Sequence, residues 1–232
     1  MPERAANQPE GNVPAVRSPM EATRHGLPFG NRYAWESRAR RIGPFRWAAK
    51  RISYGLCGGM CYAALDYFHA GLPVPSLYYP PVWGSPLHRY LLRRQIDSWR
   101  YLWVPLRTLW WMAATDRAVT RTTVRRELPR LLRKLDLGEP AVIVLVRVRR
   151  GDPTLNHQVV VTGYEREVNA GRVRLALYDP NHHGVQVTLS LNADRESESL
   201  NAVQSTGEPV RGFFLLPYRP RRRGLPQVFE SI

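Results

Sequence analysis

The hydrophobic pattern of this chain changes period at Gly138-Glu139-Pro140. Before that point apolar residues recur at helical spacing; after it they run continuously or alternate, as strands do. Cys57, Met60, Cys61, Ala64, Leu65 and Phe68 form the stripe of a core-facing helix from Cys57 to roughly Ala70, which Gly71 and Pro73 stop. Leu72 to Ser85, with Pro73, Pro75, Pro80, Pro81 and Gly84, reads as a loop. Helical pattern resumes from Pro86 to Asp116, split in two by Pro105. It returns near Thr122–Leu135, where Val124, Leu128, Leu131, Leu132 and Leu135 share a face. Strands are predicted at Ala141–Val148, His157–Tyr164, Val173–Tyr178, Gly184–Leu191 and Gly212–Tyr218. Helices followed by antiparallel strands predict an α+β fold, the helical front half packed on the sheet.

A chain of 232 residues is long enough for one well-buried core. The predicted organisation is a disordered tail over 1–28, a domain over 29–220 and a basic tail over 221–232. The formal charge of +15 is almost wholly arginine, since lysine occurs only at Lys50 and Lys134. Such a balance has two readings: an anionic partner (nucleic acid or a membrane surface), or charge spread over solvated faces. Arg221-Arg222-Arg223 is the one run of three, and no zinc-finger, RNP or P-loop pattern accompanies it. Two cysteines four positions apart make no disulfide framework, so a reducing, cytoplasmic setting is expected. No signal-peptide h-region and no transmembrane segment is visible. Export by a route without a cleavable signal stays open.

The chemistry-bearing residues lie on both sides of the period change. Cys57, in Gly55-Leu56-Cys57-Gly58-Gly59, opens the first helix, where unpaired N–H groups and the positive dipole end favour a thiolate. Gly58 and Gly59 allow close approach, and a backbone N–H beside Cys57 is a candidate oxyanion donor. Cys61, one turn further in, reads as core. His157 opens an apolar strand, and Asp179 ends the next one in Asp179-Pro180-Asn181. Neighbouring strands bring that acid within reach of the imidazole, to orient it and fix its tautomer, with Asn181 as the other candidate. Each residue also has a plain reading: a small buried thiol, a capped core histidine and a turn sequence. His182-His183 has no second pair of ligands at metal spacing and reads as a polar turn. The cluster from Trp99 to Trp111 reads as helical core, a substrate groove or a lipid-facing patch. Trp110 and Trp111, being adjacent, cannot both face one core.

Over residues 50–218 the order and spacing of these motifs resemble the papain-like cysteine peptidase superfamily, most closely the bacterial peptidase C39-like group. The resemblance rests on a Cys-Gly-small helix start, a His-hydrophobic strand and an Asp-Pro-Asn element. Leu135-Asp136-Leu137-Gly138-Glu139-Pro140-Ala141-Val142 is similar to the lead-in to the first core strand of that group. It implies Cys57 as nucleophile, His157 as general base and acid and Asp179 as orienting acid, acting on a peptide or amide substrate without metal or other cofactor. Members usually carry a glutamine shortly before the nucleophile to complete the oxyanion hole. Here Arg51, Ile52, Ser53 and Tyr54 fill that window, leaving Tyr54 or Ser53, or more distant Gln95 or Gln158, as substitutes. Losing one such donor costs about 100- to 1,000-fold in rate. A non-catalytic module of the same fold, binding an anionic partner through its arginines, is the alternative.

Overall fold

The computed structural model describes residues 15–37, 40–42, 45–47, 50–100, 102–167, 171–194 and 197–227. The fold is α+β, with helices packed against an antiparallel sheet. The first elements are β1 (Val16–Arg17), α1 (Ala22–His25), β2 (Tyr33–Ser37), β3 (Arg40–Ile42), β4 (Phe45–Trp47) and β5 (Lys50–Tyr54). Five pairs join β2 to β5, from Tyr33–Tyr54 to Ser37–Lys50, and β3 pairs with β4. Next come α2 (Cys57–Ala70), α3 (Pro86–Trp99), α4 (Trp103–Ala113), α5 (Asp116–Thr122), a π-helical turn over Thr123–Glu127, and α6 (Leu128–Asp136). The remaining strands are β6 (Ala141–Val146), β7 (His157–Glu167), β8 (Arg172–Tyr178), β9 (Val187–Asn192), β10 (Ala202–Gln204), β11 (Pro209–Val210) and β12 (Gly212–Leu215).

Strands β6–β12 form one sheet in the order β11-β10-β9-β8-β7-β6-β12, with β1 paired to the far half of β7, while β2 with β5 and β3 with β4 are separate two-stranded pairs. Because β6 is covered on both faces, its run is continuously apolar. Val142, Val144 and Val146 meet α2 and α4 residues such as Cys61, Leu65, Val104 and Trp111, while Ile143 and Leu145 meet α6 through Leu131, Leu132 and Leu135. On β8, by contrast, Arg172 and Arg174 are exposed between buried Val173 and Leu175. At the β12 edge, the outward N–H groups of Phe213 and Leu215 donate to Thr123 Oγ1 (3.4 Å) and Glu127 Oε2 (3.0 Å). The π-helical turn therefore closes a strand edge that would otherwise be open to pairing.

The helix over Cys57–Ala70 has the predicted bounds and ends in Gly71 at φ 66°. Its burial is wider than a stripe, because every residue from Gly58 to Tyr67 is buried. A Cβ on Gly59 would stand 2.2 Å from the Leu91 carbonyl oxygen of α3, so this glycine admits a neighbouring backbone rather than a substrate. Pro105 does not divide the next helical stretch. The break lies at Arg100, whose left-handed φ of 45° ends α3, and Pro105 sits in the first turn of α4, where its missing N–H costs nothing. Trp111 is buried and Trp110 exposed.

Both predicted tails need correction. Residues 15–28 are folded: Ser18 N–H donates to Thr162 O (2.8 Å), Leu27 N–H donates to the Tyr178 hydroxyl (3.2 Å), and Met20, Ala22 and Leu27 are buried. Residues 221–227 also pack onto the domain. Buried Asp66 on α2 accepts from Tyr218 Oη (2.8 Å) and Arg221 N–H (2.8 Å) and is paired with Arg94 (2.7 Å), while Tyr67 donates to Pro226 O. Residues 1–14 and 228–232 of those tails lie outside the described residues.

Candidate active site

Leu56 is the N-cap of α2 and Cys57 its first residue, half-buried. The first intrahelical bond is Met60 N to Leu56 O, so the N–H of Cys57 precedes the helical ladder, whereas Gly59 N–H donates to Gln95 Oε1 (2.8 Å). His157 is the first residue of β7, and Asp179 directly follows β8, its register neighbour. The imidazole Nε2 donates to Asp179 Oδ1 at 2.6 Å, and both side chains are buried. With Nε2 so engaged, Nδ1 is the ring nitrogen left for Cys57, whose thiol lies close enough to the imidazole for each to shift the other's pKa. The three side chains thus gather where α2 and β7 begin and β8 ends.

Their protonation follows from these contacts. Burial opposes ionisation of Cys57 but is outweighed by the His157 hydrogen bond and charge and by the backbone N–H groups of Gln158 and Gly58, so its pKa is lowered. Burial likewise opposes charge on His157, yet bonding to Asp179 and Cys57 raises it to about 9. Burial also works against Asp179, but its bonds to His157, Gln204 and Asn181 N–H bring it to about 2. These directions favour a thiolate–imidazolium pair over the neutral thiol and imidazole. Cys61 behaves oppositely: it is fully buried, bonded to Gln158 O (3.3 Å), and burial pushes its thiol well up.

Three residues of this network were not singled out from sequence. Gln204 donates from Nε2 to Asp179 Oδ2 (3.0 Å), and Arg147 in turn donates to Gln204 Oε1. Asn31 bridges the two chemical segments, with Oδ1 accepting from Leu56 N–H (2.5 Å) and Nδ2 donating to Asn181 Oδ1 (3.0 Å). Asn181 therefore does not take over from Asp179; its N–H donates to Asp179 Oδ1 (2.8 Å) and its side chain meets Asn31. The signal for Gln204 was one polar residue in phase with buried Ala202 on a strand of three.

The substitutes for the absent glutamine fall elsewhere. The Tyr54 hydroxyl is engaged by His88 Nε2 (2.8 Å), within an aromatic group that includes Tyr33 and Trp83. Ser53 lies in register with Ala34 on the β2–β5 pair. Gln95 caps Gly59, and the Gln158 side chain turns inward, so that a Cβ on Gly58 would stand 2.3 Å from both Gln158 Oε1 and Ser98 Oγ. His182 pairs with Glu208 (3.0 Å). Among the described residues no group of three or more His, Cys, Asp or Glu side chains is placed to hold a metal, and no helix is long and apolar enough to cross a membrane. No family model, curated protein or solved structure matches the chain.

Proposed function

We propose that this protein is a papain-like cysteine hydrolase acting on an amide or peptide bond through a thioester, or transferring the same acyl group to an amine. The observation that carries the proposal is the buried His157–Asp179 bond at 2.6 Å beside Cys57 at the start of α2, and the lowered thiol and raised imidazole accord with it. The Cys57 thiolate adds to the carbonyl carbon, and the displaced electron pair resides on oxygen. As that pair returns, the C–N bond breaks and the His157 proton passes to the departing nitrogen. Water, or an acceptor amine, then gives a proton to His157, attacks the thioester and releases Cys57 as thiolate. Asp179 holds the ring and stabilises its cation throughout.

In this reading the Cys57 N–H is one oxyanion donor and the Asn31 amide the other. Asn31 is fixed on the residue preceding the nucleophile, and Nδ2 carries a second hydrogen beyond the one given to Asn181. The test is the rate of iodoacetamide labelling, read by mass spectrometry. Cys57 should label far faster than Cys61 near neutral pH, and His157→Ala should abolish the difference. Slow, equal labelling of both thiols would overturn the reading.

A further inference from the structure

The outer face of α4 is apolar where a soluble helix is normally polar. Leu102, Trp103, Leu106, Leu109 and Trp110 are all exposed, Trp103 at 67% and Trp110 at 65%, while the inner face buries Val104, Thr108, Trp111 and Met112. The one charged residue of the helix, Arg107, points inward, to Glu127 (3.0 Å) and over the Phe214 ring (4.2 Å). Across the turn at Arg100 the exposed apolar residues continue on α3 through Trp99 and Ile96. A contiguous apolar surface of this kind marks a binding face.

Charge identifies the occupant. Residues 86–134 hold twelve arginines and lysines against three carboxylates, and each carboxylate is held by arginine: Asp97 by Arg94 and Arg221, Asp116 by Arg211, Glu127 by Arg107. Arg89 and Arg93 on α3, Arg100 at its C-cap and Arg121 on α5 are exposed. Tryptophan and leucine between arginines is the composition of a helix lying in the interface of an anionic bilayer. A second copy of this chain would bring arginine borders together, and nucleic acid would leave the tryptophans and leucines without a partner. The geometry points to α3 and α4 as a docking face for an anionic phospholipid surface, with α4 lying along the headgroup–acyl boundary. This inference is independent of the hydrolase reading, so Cys57→Ala should bind equally well.

The test is co-sedimentation of the full chain with vesicles of phosphatidylcholine and phosphatidylglycerol mixed at about two to one. Binding is expected, with a blue shift in tryptophan emission, and little binding to phosphatidylcholine alone. The triple variant Trp103→Ser, Leu106→Ser, Trp110→Ser should bind at least about tenfold more weakly while keeping its circular dichroism spectrum and the labelling rate of Cys57. Arg89→Gln with Arg93→Gln should weaken binding chiefly at low salt. No binding to the mixed vesicles, equal binding to neutral ones, or retention of binding by the serine variant would each overturn the inference. So would a dimer in light scattering that the serine variant dissolves, since the face would then join two copies.

Discussion

Asp179 is held from both sides, His157 on Oδ1 and Gln204 on Oδ2, and Arg147 fixes the far end of Gln204. Gln204→Leu would leave Oδ2 buried without its donor and lift the acid, which weakens its hold on the imidazolium. The expected result is several-fold slower Cys57 alkylation at neutral pH, with the thiol titrating higher; an unchanged alkylation–pH curve would remove Gln204 from the network. Asn31→Ala should slow thioester formation by about 100-fold while leaving alkylation, which needs no oxyanion, nearly unchanged. The buried pair also sets how stability responds to pH. His157 is raised from 6.5 to about 9, so its contribution is complete below 6.5 and fades as pH climbs through 9. Asp179 is depressed from 3.8 to about 2, so its contribution is complete above 3.8 and fades as pH falls through 2. Cys57, whose pKa is lowered, contributes in the opposite sense over the same window; in Cys57→Ser, which removes it, thermal melting should fall as pH rises from 6.5, and adding His157→Gln should flatten that limb. Cys57, His157 and Asp179 were legible because each ends or begins a patterned element. Gln204 and Asn31 were not, because they reach the site from a three-residue strand and an irregular segment with no periodicity to flag them.

At the scale of elements, α2 shows why its glycines stand where they do. Gly59 lets the α3 backbone approach, and Gly58 makes room for Gln158 and Ser98. Alanine normally favours a helix over glycine by about 1 kcal/mol, but at Gly59 its methyl meets a backbone carbonyl that cannot rotate away. Gly59→Ala should therefore destabilise by about 1–3 kcal/mol, measurable as a lower urea midpoint with an unchanged slope. A midpoint that rises would show that α2 and α3 can separate freely. The strands with long apolar runs could be read directly, since β6 is buried on both faces and β8 on one. Two-residue β1 and β11 carry too few positions to display a period. Pro105 misled because proline reads alike as a helix breaker and as a first-turn residue; the true break needs the left-handed Arg100, which composition does not announce.

On the scale of the whole molecule, segments remote in sequence converge on α2. Residues 18–31 tie to β7, Tyr178 and Leu56, and residues 218–226 tie to Asp66 and Tyr67. The glycine and proline of the first and the arginine and proline of the second resemble the composition of unstructured tails, and only the tertiary partners reveal their role. A chain ending at Pro217 would leave buried Asp66 without the Tyr218 and Arg221 donors, while Arg94 and Tyr90 remain. The two lost charge-assisted bonds should cost about 3–6 kcal/mol and lower the melting temperature accordingly. A melting temperature matching the full chain would show these bonds to be dispensable. The same convergence bears on biosynthesis. During translation Cys57 emerges well before Gln204, which braces Asp179, so a ribosome paused ahead of Gln204 displays a cysteine whose surroundings are incomplete. On the proposed reading, the thiol becomes reactive only after β10 has emerged and seated Gln204 on Asp179.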